Sequence, residues 1–118
     1  MDIRVITEPI SISEVKTLAE ITYGDILKGV VDIARGCCAL GGEWHIDANN
    51  VLLADGSRQE DLWGFNIYPS RRGDGTLEYV SLINVRPAHG NAAMEISDTN
   101  LRSTMRSIIE RLIPELFS

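Results

Sequence analysis

The chain has 118 residues, a net charge of −6, a hydrophobic fraction of 44% and a charged fraction of 24%. That length suits one domain over 1–118, burying roughly two-thirds of the surface its unfolded form exposes. The acidic balance argues against nucleic acid as a partner, because phosphate contact needs concentrated Lys and Arg. Arg71-Arg72 in a loop and Arg102 with Arg106 on one helix face read as solvated charges. No apolar run approaches the roughly 20 residues of a membrane span. Met1-Asp2-Ile3-Arg4 lacks the basic start and apolar core of a signal peptide. The expectation is a cytoplasmic protein with no membrane partner.

Ile3-Arg4-Val5-Ile6 suits a short strand. Ser11-Ile12-Ser13-Glu14 is a capping-box pattern, in which the Ser11 hydroxyl accepts from the Glu14 amide while the Glu14 carboxylate reaches back. Ile10 and Val15 flank it as a hydrophobic staple, and Val15, Leu18, Ala19 and Thr22 follow at helical spacing. A helix is predicted over 12–22, ended by Gly24-Asp25. Leu27 to Ile33 is rich in β-branched residues and Ala34-Arg35-Gly36 suits a short turn, so Cys37 to Leu40 is the return strand of a hairpin.

Gly41-Gly42 leads into Glu43-Trp44-His45-Ile46-Asp47, which alternates strictly. Continued as a strand, it puts Glu43, His45 and Asp47 in one row and turns Trp44 and Ile46 the other way. Val51-Leu52-Leu53 is a further apolar run, stopped by Asp55-Gly56-Ser57. Leu62 to Tyr68 alternates, with Trp63, Phe65 and Ile67 on one face and Leu62, Asn66 and Tyr68 on the other. Pro69 to Thr76 reads as a loop and Leu77 to Val85 as the partner strand. Arg86 to Asn91 is a second loop. Ser97-Asp98 supplies an N-cap for a last helix whose stripe is Leu101, Met105, Ile108, Ile109 and Leu112, ending near Pro114.

Strands that follow one another through short turns indicate the α+β class. The predicted architecture is a mostly antiparallel sheet of about five strands, with the N-terminal and C-terminal helices on one face and the other face partly open. Cys37 and Cys38 are neighbours on a strand, point to opposite faces and match no zinc spacing, so two free thiols are expected, consistent with a reducing compartment.

Two clusters could carry chemistry. In the first, His45 acts as a base oriented by Glu43 or Asp61, with Asp47 in the same row. Same-face strand residues stand roughly 7 Å apart, so such a row converges badly on one metal ion without a further ligand such as His89 or Asp61. Neither a metal nor a cofactor is assigned. The second is Asn66 with Asn84 and Arg86; a spacing of two puts Asn84 and Arg86 on one strand face, where an Arg flanked by amides can clamp a carboxylate or phosphate. His89 and Asn91 complete the set in the second loop. Each cluster also has a purely structural reading, as a solvated face or a register-fixing network. None of the phosphate-loop, dinucleotide, nucleophile-elbow or zinc-protease motifs occurs.

Gly41 to Asp47, Asp55 to Pro69 and Ser81 to Asn91 resemble a family of small bacterial domains of unknown function, over nearly the whole chain. The resemblance implies a compact single domain and brings no activity or catalytic residues. The leading expectation is a binding or regulatory module with a protein or small anionic ligand as partner, and homodimerisation through a strand edge as a further option. The alternative is a small hydrolase with His45 as general base and Arg86 with Asn84 as an anion clamp, with metal assistance as an option.

Overall fold

A computed structural model describes residues 2–118. Five strands, β1 (Ile3–Ile6), β2 (Leu27–Asp32), β3 (Cys37–Gly41), β4 (Leu62–Ile67) and β5 (Leu77–Glu78), form an antiparallel sheet in the order β1-β3-β2-β4-β5. Three helices accompany it: α1 (Ile12–Ile21), α2 (His45–Ala54) and α3 (Thr99–Leu112). The class is α+β, with the N-terminal and C-terminal helices on one face as expected.

Local chemistry explains several of these elements. Ser11 Oγ accepts from the Glu14 amide at 3.2 Å while Glu14 Oε2 accepts from the Ser11 amide at 2.9 Å, the predicted capping box. Asp98 Oδ1 caps α3 by accepting from the amides of Asn100 and Leu101. In the β2–β3 turn, Asp32 Oδ1 accepts from the amides of Ala34 and Arg35, and Gly36 takes a φ of +70° that L side chains rarely adopt.

The alternation along β2, β3 and β4 sorts side chains into two apolar clusters. Leu27, Val31, Cys38, Leu40, Trp63, Phe65 and Ile67 face α1 and α3, meeting Val15, Leu18, Met105, Ile109 and Leu112. Val30, Cys37, Ala39 and Leu62 face the other way and meet Ala48 and Leu52 of α2. The cysteines are free and buried on opposite faces, and burial pushes both thiols above their ordinary range.

Two predicted strands are corrected. The row Glu43, His45, Asp47 does not lie on a strand: Gly41 and Gly42 take φ values of +116° and +88°, which turn the chain out of the sheet. Trp44 is the extended residue before α2, and the helix runs from His45 through the Val51-Leu52-Leu53 stretch. The second face is therefore covered in part by α2.

Leu77 to Val85 is likewise not a continuous strand. Regular pairing stops at Glu78; Ser81 Oγ then accepts from the Ile83 amide at 3.2 Å and starts a single 3₁₀ turn over Leu82–Asn84. The segment still follows the edge of β4, with side chains taking the place of a ladder.

Candidate functional site

The edge of β4 accounts for most of the second predicted cluster. Asn84 is fully buried and presents its side-chain amide to Gly64 like a peptide group. Its Oδ1 accepts from the Gly64 amide at 2.8 Å, and its Nδ2 donates to the Gly64 carbonyl at 3.0 Å. Arg86 lies with its guanidinium 4.1 Å from the centroid of the Trp63 ring and donates to the carbonyls of Ile83, Gln59 and Leu62. Burial lowers its pKa from the ordinary arginine value.

Asn91 organises the following loop. Its Nδ2 donates to the carbonyls of Asn84, Ala93 and Glu95, and its Oδ1 accepts from the Ser97 amide at 3.1 Å. Between them, Arg86 and Asn91 pair backbone to backbone around the short turn Pro87–His89, which leaves His89 exposed. Three residues expected to grip a ligand thus hold carbonyls and amides of this chain.

The first predicted cluster is dispersed by α2. Glu43 lies before the helix, exposed, with its carbonyl accepting from the Tyr23 hydroxyl at 2.8 Å. Asp47 is in the first helical turn, two residues and thus more than half a turn from His45. Asp61 is in a 3₁₀ turn before β4, its carbonyl accepting from the Ile33 amide. Among the described residues, no group of three His, Cys, Asp or Glu side chains is placed to hold a metal ion.

His45 itself is 9% exposed and lies over the α2 face of the sheet, its Nε2 2.9 Å from the Phe65 carbonyl. A carbonyl only accepts, so that nitrogen carries the proton and the neutral ring keeps its lone pair at Nδ1. Burial is the main reason its pKa falls below the ordinary 6.5, and the charge of Lys28 adds to this; the Phe65 carbonyl, the Asn66 amide and Glu78 oppose it.

A pH effect follows. The unfolded chain takes up a proton as the pH falls through 6.5, whereas the folded chain does so only lower. Stability contributed by neutral His45 is therefore complete above that value and is lost as the pH falls toward the folded pKa. His45→Gln, which retains a donor for Phe65, should lose less melting temperature than wild type between about pH 7 and pH 5. Equal losses in the two proteins would contradict this.

His45 stands beside a pocket of about 360 Å³ that also involves Lys28, Asn66, Leu82 and Met94. Lys28 and Asn66 are register partners on β2 and β4, and Glu78 of β5 pairs with Asn66 on the far side. A polar row therefore crosses three strands where α2 no longer covers the sheet. Asn66 Nδ2 donates to Glu78 Oε1 at 2.9 Å and to the Val80 carbonyl at 3.0 Å, which fixes the orientation of the amide. Its Oδ1 is buried without a hydrogen-bond partner among the described residues.

The pocket's walls are apolar. Trp44 and Ile46 come from the start of α2, at 62% and 49% exposure, and Leu82 and Met94 from the 80–96 segment, at 72% and 43%. This segment closes on itself through Val80–Glu95 pairing and the Ser81 amide donating to the Met94 carbonyl at 3.1 Å. Of these residues, His45 and Asn66 stand out in the sequence. Lys28, Leu82 and Met94 carry no local signal, because only the fold brings them together.

Residues 4–112 match the family described as protein of unknown function DUF5674. The chain belongs to the DUF5674 family. The match runs from the first strand to the last residue of α3 and therefore spans both faces of the sheet and the pocket. No curated protein and no solved structure significantly matches this DUF5674 chain. Among the described residues, no helix is long and apolar enough to cross a membrane.

Proposed function

We propose that this DUF5674 domain is a binding module whose site is the pocket at the start of α2. One coincidence carries the reading: four exposed apolar side chains gather around a concavity that also holds Lys28, His45 and an Asn66 amide oxygen without a partner. Scattered exposed apolar residues are ordinary. Gathered at one pocket, with a few polar groups and a volume within the roughly 300–1,000 Å³ range of small-molecule sites, they favour ligand binding.

The hydrolase alternative needs His45, Asp61 and Arg86 to converge. Arg86 is engaged with three carbonyls and, like Asp61, lies outside the pocket lining. His45 is held by its Nε2 against the Phe65 carbonyl, with neither Asp61 nor Arg86 beside it in the pocket lining.

Thermal unfolding against a panel of small amphipathic compounds tests the proposal. A ligand at about 100 times its Kd adds about 2.7 kcal/mol to native stability, a rise of several degrees. The rise should vanish in Ile46→Glu/Leu82→Glu, two changes at exposed positions that place charge on the apolar rim. No rise with any compound, or the same rise in both proteins, would refute the site.

A further inference from the structure

We infer that the occupant of this pocket is a small amphipathic molecule with an anionic head, engaged by Lys28. The inference rests on the pocket being a binding site and adds the chemical class of its ligand.

Among the described residues, Lys28 is the single formally charged one lining the pocket. Its ammonium lies 5.5 Å from the centroid of the Tyr23 ring, and it forms no ion pair among the described residues. The acid in the same polar row is Glu78, which pairs with Asn66 on the side away from Lys28. Its Oε1 accepts from Asn66 and from the Tyr68 hydroxyl at 3.0 Å. In a chain with 17 acidic and 11 Lys or Arg residues, a half-buried cation at the edge of an apolar pocket, without an ion pair among the described residues, suits an anionic group.

The remaining surface specifies the rest of the molecule. Trp44 and Ile46 on one side and Leu82 with Met94 on the other suit an apolar or aromatic body. At about 30 Å³ per water-sized group, the space admits roughly a dozen heavy atoms. That is the scale of an aryl or short alkyl carboxylate.

A head-group series decides the matter: 3-phenylpropanoate, 3-phenylpropan-1-ol and 3-phenylpropylamine, titrated into the full chain and followed at the Trp44 indole N–H. The carboxylate should bind at least about tenfold more tightly than the alcohol, equivalent to about 1.4 kcal/mol, and the amine no better than the alcohol. Lys28→Met should erase the carboxylate preference and leave alcohol binding intact. Should that variant fail to fold, the wild type reports through salt: carboxylate affinity should weaken with ionic strength while alcohol affinity does not. Equal affinities, or preference for the amine, would overturn the anionic head while leaving the pocket as a site. Absence of saturable binding by all three would overturn both readings. A Trp44 signal that shifts on dilution without any probe would assign the surface to a second copy of the chain and overturn the inference too.

Discussion

Replacing Asn84 with alanine is expected to remove roughly 2–6 kcal/mol of folding stability, from about 1–3 kcal/mol for each of two buried backbone groups left unpaired. Those groups are the amide and carbonyl of Gly64, which the Asn84 side chain satisfies at 2.8 and 3.0 Å. Asn84 Nδ2 also reaches the Met94 carbonyl at 3.3 Å, so the same change loosens one wall of the pocket. Against a typical stability of about 5–15 kcal/mol this is a large fraction. Denaturant unfolding should show a lower midpoint at unchanged slope. A loss under about 1 kcal/mol would mean that water replaces the amide, and that the edge of β4 is less closed than the structure implies.

Gly29→Ala is expected to be nearly as damaging, for a steric reason. Gly29 sits in the middle of β2, on the face turned to α1 and α3. A methyl group there would stand 2.7 Å from Phe65 Cε2, closer still to Cζ, and 2.9 Å from Leu40 Cδ2, with both neighbours fully buried. Overpacking of this kind costs about 1–3 kcal/mol, occasionally more. Phe65→Leu should lower that cost in the double variant, because it removes the ring atoms in the way; the coupling is then opposite in sign to a simple sum of two defects. Additive losses would show that the ring moves freely aside. The carbonyl of Phe65 also holds His45, so a displaced ring should disturb the pocket on the other face.

What the sequence discloses about this fold depends on whether the signal is local. Ser11 and Glu14 find each other three residues apart, and Asp32 to Gly36 contains its own turn, so α1 and the β2–β3 hairpin are legible without the fold. The first turn of α2 alternates like a strand, and the helix's buried positions are His45, Ala48, Asn49 and Leu52, two of them polar. Its apolar period is therefore hidden. Asn49 is tolerated inside because Gln59, ten residues on, exchanges two amide hydrogen bonds with it at 2.7 and 2.9 Å.

The same logic governs the site. Asn66, Asn84, Arg86 and Asn91 are conspicuous as polar residues in apolar surroundings, yet the sequence cannot say whether such groups face a ligand or the chain's own backbone. Asn84, Arg86 and Asn91 meet backbone; Asn66 meets both Glu78 and a pocket, with one oxygen unpartnered. Trp44 and Ile46 are placed by reading residues 43–47 as helix start rather than strand. Lys28 enters only through its register with Asn66.

On the proposed reading, the concavity between the start of α2 and the 80–96 segment binds a small molecule. The most direct measurement is an amide and indole shift map of the isotope-labelled chain titrated with 3-phenylpropanoate. Saturable shifts are expected, confined to Lys28, Trp44, His45, Ile46, Asn66, Leu82, Met94 and their immediate neighbours. Shifts centred elsewhere, or none at concentrations up to about 10 mM, well above the millimolar Kd of a weak fragment, would contradict it.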